Sequence, residues 1–416
     1  MAELYQPQSE MSLWWLGEAS PVLVGRLVLA ESNRKVGLEY AAAWLVHGFP
    51  LSEDLPLARG LFLPNERNAA AGAVDDARPD RWGERVIRQI YKPARLSVLE
   101  YLYFAGDNRF GALGVSLDLA TYRPNGSGAI ASFDNLADME RAIHAVLAGE
   151  VLSEEYLRLI RPGPSFGGAR PKSLITIDGE QWVVKFSEGE NMDTQIIEDA
   201  CMKLASLSGI NAANSRALPV SGGHAVAIKR FDRVGRIRRH VLSAHTVLRA
   251  SGLPFGYPEL AQLIRRIAHP DWIRDQQKEI FRRMVFNILL DNTDDHEKNH
   301  AFIRSQEGYY ELAPAYDVLP SVQGLGYQQM RVGSRDTESS LENALSEVAA
   351  FGLKRDQAID MIRDICNVVD GWKQHFINCG VQPRDIEELA QYIDGDALAS
   401  QRAEYKRKGM PARKPK

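Results

Sequence analysis

The 416-residue sequence predicts an α+β protein of two lobes, a β-rich first half followed by a helical second half. Three observations carry that expectation. Alternating, β-branched-rich segments recur up to about residue 234. Beyond about residue 245, apolar residues return at three- and four-residue spacing almost throughout. The length also exceeds what one core ordinarily serves, so two or three packed units are expected.

Taken in order, SPVLVGRLVLA (20–30) and KVGLEYAAAWLV (35–46) read as paired strands, DRWGERVIRQIY (80–91) as a short helix and FGALGVSL (110–117) as a further strand. SLITIDGEQWVVKF (173–186) holds two alternating segments joined by Asp178-Gly179, a dipeptide that favours a two-residue hairpin turn. Asp193 is the expected N-cap of DTQIIEDACMKLASLSG, which puts Ile196, Ile197, Ala200, Cys201 and Leu204 on one face and Gly209 at its end. Strands return in SRALPVSGGHAVAIKRFDRV (215–234). YPELAQLIRRIA, DWIRDQQKEIFRRMVFNILL, ESSLENALSEVAAF, KRDQAIDMIRDICNVVDGWKQHFI and PRDIEELAQYI then carry helical periodicity, and KRKGMPARKPK reads as a solvated basic tail. The expected division is 1–120 as an N-terminal subdomain, 121–234 as a β-rich lobe, 235–408 as an all-helical C-terminal lobe and 409–416 as the tail.

Composition sets outer bounds. Hydrophobic residues at 45%, charged residues at 25% and a formal charge of −4 are ordinary globular values and give no whole-chain signal for nucleic acid. Cys201, Cys366 and Cys379 lie far apart without metal or redox spacing and are expected as reduced core residues. The N-terminus lacks the pattern of a signal peptide, and no apolar run approaches spanning length, so a soluble cytoplasmic protein without a membrane partner is expected.

Against that background one stretch stands out. DNTDDHEKNH (291–300) follows the apolar FRRMVFNILL and crowds proton-transferring and metal-capable groups into ten residues. Asp294 and Asn299 have the five-residue spacing of a kinase catalytic loop, in which the aspartate takes the substrate hydroxyl proton and the asparagine binds magnesium. Asp317, downstream in ELAPAYDVLPS, would complete an oxygen donor set suited to Mg²⁺, a hard ion that takes its remaining ligands from water and phosphate. Phosphoryl transfer also needs a cation and backbone donors on the nucleotide. Lys185, on the strand WVVKF, offers the first, with Glu198 as its ion-pair partner. The loop GPSFGGARPK (163–172) offers Gly167, Gly168, Arg170 and Lys172, in neither a Walker nor a dinucleotide pattern. Each residue alone has a plain structural reading as a solvent-face lysine, a surface acid or a turn; their order along the chain is that of a kinase. For His296, with no zinc partner at the right spacing, the structural role of orienting the loop is favoured.

SFGGARPK (165–172), WVVKF (182–186), AIKRFDR (227–233), NTDDHEKNHAF (292–302) and LAPAYDVLP (312–320) together resemble the HipA-like serine/threonine kinases, toxins of bacterial type II toxin–antitoxin pairs. ARPDRWGERVI and GDNRFGALGV are loosely similar to that family's N-terminal subdomain. The resemblance implies a two-lobed protein-kinase-like fold using ATP and Mg²⁺. It implies Asp294 as catalytic residue, Asn299 and Asp317 as metal ligands, and Lys185 on the ATP phosphates. Lys229, Arg230 and Phe231 would supply the backbone that holds adenine, although Lys229 stands where an acidic residue is expected. Glu198, His296 and Lys298 would support the site. Ser165 would be a self-inactivating autophosphorylation site. The implied partners are a helix-turn-helix antitoxin (HipB-like), operator DNA through that antitoxin, and a protein substrate such as an aminoacyl-tRNA synthetase, whose modification would inhibit translation. Two alternatives stay open: a mainly non-catalytic corepressor module, and a kinase acting on a lipid or small molecule.

Overall fold

The computed structural model describes residues 5–32, 34–126, 130–160, 162 and 168–408. The chain forms two compact units, one made by the chain up to Glu188 with Leu218–Ser251, the other by Gly189–Ala217 with the chain from Gly252 onward. These cuts differ from the expected boundaries at 120 and 234, because the helix Thr194–Leu207 packs with later helices while the early sheets share a unit.

The first unit contains two sheets. One has the order Leu61–Phe62, Lys35–Tyr40, Val22–Ala30, Glu10–Trp15, Leu113–Ser116. Its register sets Met11 opposite Leu27 and Leu27 opposite Leu38, so one continuous row of side chains is buried. Gly25 is needed where it stands, since a Cβ there would meet the Glu39 carbonyl oxygen at 2.1 Å. Two expectations are corrected here. Glu10–Trp15 is a strand that the sequence reading left unassigned, and the second half of 35–46 leaves the sheet to form the helix Ala42–His47. Lys35–Tyr40 is already paired on both sides, and the alanine-rich continuation suits a helix better than a strand.

The second sheet has the order Ser215–Val220, Gly223–Lys229, Glu180–Lys185, Lys172–Ile177, Ala131–Ser132. The hairpin turns as expected at Asp178 and Gly179, both with positive φ (52° and 77°), the requirement of the tight turn that matches strand twist. Its apolar face, Ile175, Trp182 and Val184, packs with Met139, Ile143 and Val146 of the helix Leu136–Ala148. That helix was not predicted, nor were Val98–Phe104 and Glu154–Leu159, so the first half is more helical than its strand pattern suggested.

Among the described residues the second unit is mainly helices and loops, with the antiparallel strands Ala301–Arg304 and Tyr310–Leu312, which corrects the expectation of an all-helical lobe. Tyr257–Ile267 lies against Ile273–Leu289 around buried Leu260, Ile264, Ile280 and Met284. Thr194–Leu207 buries the predicted face and ends at Gly209 (φ 78°). Asp193 precedes it but makes no side-chain cap bond; its backbone N–H donates to Asp385 at 3.2 Å. The long predicted helix after Lys354 divides into Arg355–Val369 and Trp372–Asn378. Asp396–Lys408 is a helix that takes in the first three residues of KRKGMPARKPK, and its buried Arg402 donates to Asp370 at 3.0 Å and Asp394 at 2.7 Å; the expected tail 409–416 lies outside the described residues. Cys201 and Cys366 are buried free thiols, as expected of core residues.

Candidate active site

The apolar end of Ile273–Leu289 is buried, and the polar loop that follows is largely buried with it. Asp291 takes a left-handed conformation (φ 55°), and its carbonyl accepts from the Ser321 N–H at 2.9 Å. Its carboxylate accepts from the Gly324 N–H at 3.3 Å. Asn292 donates to the Asn287 side chain at 3.0 Å, and Asn287 donates to the Tyr257 hydroxyl at 3.3 Å. Tyr257 in turn donates to Asp295, which also takes the His300 Nε2 at 2.8 Å. Burial alone would raise the Asp295 carboxyl, but His300 and the Tyr257 hydrogen bond outweigh it and hold the group below the usual carboxylate range. The Tyr257 phenol is pushed well up by burial beside that charge. Asp295 is therefore an ionised structural anchor.

Its neighbour Asp294 is exposed, with one long contact from Gln329 Nε2 at 3.4 Å. The loop thus buries one aspartate and presents the other. His296 accepts from the Lys298 N–H at 3.2 Å and orients the turn Glu297–Asn299, the structural role expected for it. Lys298 is exposed, and its carbonyl accepts from the Tyr316 hydroxyl at 2.8 Å. Asn299 is buried with its Oδ1 unpartnered. Tyr316 and Val318 line the same cavity as Asn299, which brings the segment carrying Asp317 to the loop. Asp317 is partly exposed and has φ 59°, a conformation that a non-glycine residue keeps only where its surroundings impose it. A buried amide oxygen without a partner and a carboxylate are hard donors that fit magnesium. Among the described residues no group of three or more His, Cys, Asp or Glu could hold a metal ion.

In the first unit, Lys172 and Lys185 face each other across the hairpin strands, 1% and 3% exposed. Two buried like charges opposite one another need anions. For Lys172 the anion is Asp80, the N-cap of Arg81–Ile90, and its Nζ also donates to the Gly168 carbonyl at 3.3 Å. Arg230 is likewise engaged: its guanidinium donates to Asp232 at 2.9 and 2.7 Å and to the carbonyls of Asn108 and Arg109. Its backbone N–H donates to Gln181. Lys229 pairs with Glu180 at 3.3 Å, and Phe231 meets Phe110 edge-on. Gly168 is exposed and Arg170 partly so; Ser165 and Gly167 lie outside the described residues. Glu198 is buried in Thr194–Leu207 of the second unit. The sequence reading gave no role to Asp232, Tyr257, Arg283 or His300; each takes part in a contact that spacing does not show, such as Tyr257 with Asp295, 38 residues on, and the Gly111 N–H with Asp232, 121 residues on.

These features define a kinase-like α+β protein, and comparison with known proteins specifies it further. Residues 164–372 match the HipA-like C-terminal domain and residues 19–116 the HipA N-terminal domain. The chain belongs to the HipA family. It is 22% identical over 396 residues to the serine/threonine-protein kinase toxin HipA of Shewanella oneidensis, covering 83% of this chain and 84% of that one. A putative kinase of Sinorhizobium fredii, Y4dM, is 28% identical over 163 residues, a match that spans 35% of this chain and only 38% of the relative. Among solved structures, Shewanella oneidensis HipA in complex with HipB and its operator DNA superposes with a TM-score of 0.66 at 18% identity, over 95% of this chain and 97% of that one. The likeness is one of fold.

Proposed function

We propose that this protein is an ATP- and magnesium-dependent serine/threonine protein kinase acting as the toxin of a type II toxin–antitoxin pair. The observation that carries the reading is the loop 291–300, which pins Asp295 with Tyr257 and His300 while leaving the Asp294 carboxylate exposed. Asp294 orients the attacking hydroxyl and takes its proton. Asn299 and Asp317 hold the divalent ion, which when bound neutralises charge on the phosphates. Lys185 serves the phosphates, with Glu198 as its partner, and the backbone of Lys229–Phe231 serves adenine. Nucleotide binding is thereby assigned to residues 121–234 and catalysis to 235–408. The kinase name of the Shewanella relative and the aligned domains support this reading. Incubating the purified protein with labelled ATP, magnesium and cell lysate should label a protein substrate, such as an aminoacyl-tRNA synthetase, identified by mass spectrometry. Labelling of lipid or metabolite alone would redirect the assignment.

By likeness to the HipA, HipB and operator complex, a small helix-turn-helix antitoxin is the proposed partner, with DNA reached through it. Expression without that partner should arrest growth, and Asp317→Ala should relieve the arrest. Arrest that survives Asp317→Ala would favour a non-enzymatic role. Ser165 is proposed as an autophosphorylation site whose roughly two added negative charges repel the triphosphate. Ser165→Ala should therefore stay active under prolonged Mg-ATP, whereas Ser165→Asp should bind ATP weakly. Normal ATP binding by the aspartate variant, with no phosphate found on Ser165, would refute this.

A further inference from the structure

Three buried side-chain atoms of the second unit have no hydrogen-bond partner and belong to residues lining one cavity: Arg283 Nη1, Asn299 Oδ1 and His300 Nδ1. The three residues are 3%, 5% and 2% exposed, so none of these atoms reaches bulk water. Nor can two of them turn away. Arg283 is held by Glu279 at 3.0 Å and by the Ala313 carbonyl at 2.8 Å, and His300 by Asp295 at 2.8 Å. Asp295 is an acceptor on that side, so the His300 ring donates from Nε2, and Nδ1 is the ring nitrogen left without a partner among the described residues. The cavity has about 10 Å³ open to the centre of a water molecule, room for one.

The chemistry of the three atoms selects the occupant. A guanidinium nitrogen only donates and an amide oxygen only accepts, while an imidazole nitrogen takes either part. A single water complements the three, since it can accept from Arg283, donate to Asn299 and take whichever part the ring nitrogen leaves. A cation would face the Arg283 charge, and an anion would face the Asn299 oxygen beside Asp295. An apolar filler would leave all three atoms unpaired.

We propose that this cavity binds one ordered water, which accepts from Arg283, donates to Asn299 and hydrogen-bonds the His300 Nδ1. Through it Arg283 and His300 are positioning residues for the Asn299 carboxamide. The functional half of the proposal rests on Asn299 as a metal ligand. An amide oxygen has two lone pairs; the water takes one and fixes the plane of the group, leaving the other directed at the ion. Outer hydrogen bonds of this kind set the orientation of metal ligands, and their loss lowers metal affinity about 10–100-fold.

Two substitutions at His300 separate the water from the fold. The glutamine amide reaches the position of Nε2, so His300→Gln keeps the Asp295 bond and removes the arm to the water. Asparagine reaches the position of Nδ1, so His300→Asn does the opposite. Binding of Mn²⁺ in the presence of a non-hydrolysable ATP analogue, followed by electron paramagnetic resonance, reads ligand positioning without turnover. His300→Gln should keep the wild-type unfolding midpoint and weaken Mn²⁺ binding about tenfold. His300→Asn should lower the midpoint and bind Mn²⁺ nearly as wild type. A high-resolution crystal structure should show a water within hydrogen-bond distance of all three atoms. A dry cavity, or a His300→Gln protein with wild-type Mn²⁺ affinity, overturns the proposal. If Asn299→Ala leaves Mn²⁺ binding unchanged, the metal assignment fails instead, and the crystallographic water still decides the site itself.

Discussion

Replacing Asp294 with asparagine is expected to lower phosphotransfer by about 10²–10⁴-fold, the contribution of a positioned general base, while leaving the unfolding midpoint where it was. The asymmetry follows from position. Asp294 is exposed and, among the described residues, its side chain takes one long hydrogen bond, from Gln329 at 3.4 Å, so the fold loses little when its charge is removed. Asp295→Asn, one residue along, should behave in the opposite way. That side chain is buried and accepts from both Tyr257 and His300 on one oxygen, Oδ2; an amide oxygen can take both bonds there, but as a neutral acceptor it holds them less strongly than the carboxylate does. Its main loss should be stability, with activity falling in proportion to folded protein. Asn299→Ala and Asp317→Ala act on the same transition state as Asp294→Asn, so combining them should add little to the loss from any one. A kinase assay paired with thermal unfolding checks this. An Asp294→Asn protein that folds normally and transfers phosphate at the wild-type rate would move the catalytic assignment to another residue.

That contrast between adjacent aspartates also marks where the sequence stops being informative. Spacing singled out Asp294, because five residues from Asn299 is a local relation along the chain. It could not show that Asp295 is the buried one, since that depends on Tyr257, 38 residues earlier. The same division runs through the fold. The turn at Asp178-Gly179 was legible because the conformation it needs is decided by the two residues themselves. The amphipathic helices Tyr257–Ile267 and Ile273–Leu289 were legible from periodicity alone. Ala42–His47 and Glu10–Trp15 were not, because a short apolar run fits either structure until its neighbours are in place. Lys172 is the sharpest case: a lysine beside a glycine loop suggests phosphate, and only the approach of Asp80, 92 residues away, gives it another partner.

Asp232→Ala is expected to destabilise the first unit by about 3–5 kcal/mol, the cost of removing one partner from a buried ion cluster. Asp232 is fully buried between Arg230 and Arg233, which donate to it at 2.7 and 2.6 Å, and it accepts from the Gly111 N–H at 2.8 Å. Without it, two guanidinium groups remain close together with backbone carbonyls of Asn108, Arg109 and Gly111 as their acceptors. Those carbonyls can take hydrogen bonds but cannot neutralise two charges. The same cluster predicts an acid sensitivity. Burial would raise the Asp232 carboxyl, yet the two arginines outweigh it and hold it down to about 2. Against an unfolded value of about 3.9, that difference is on the order of 2–3 kcal/mol. Because the folded value is the lower one, this stability is complete above about pH 5 and is lost as pH falls through about 2. Denaturant unfolding of wild type and Asp232→Ala at pH 7 and near pH 2 tests both claims. The gap between the two proteins should be several kcal/mol at neutral pH and should narrow by roughly 2 kcal/mol in acid. A gap that stays constant with pH would mean that Asp232 titrates near its ordinary value and that the arginines do not act on it as a charge. An absent gap at pH 7 would mean that the carbonyls alone suffice to hold Arg230 and Arg233.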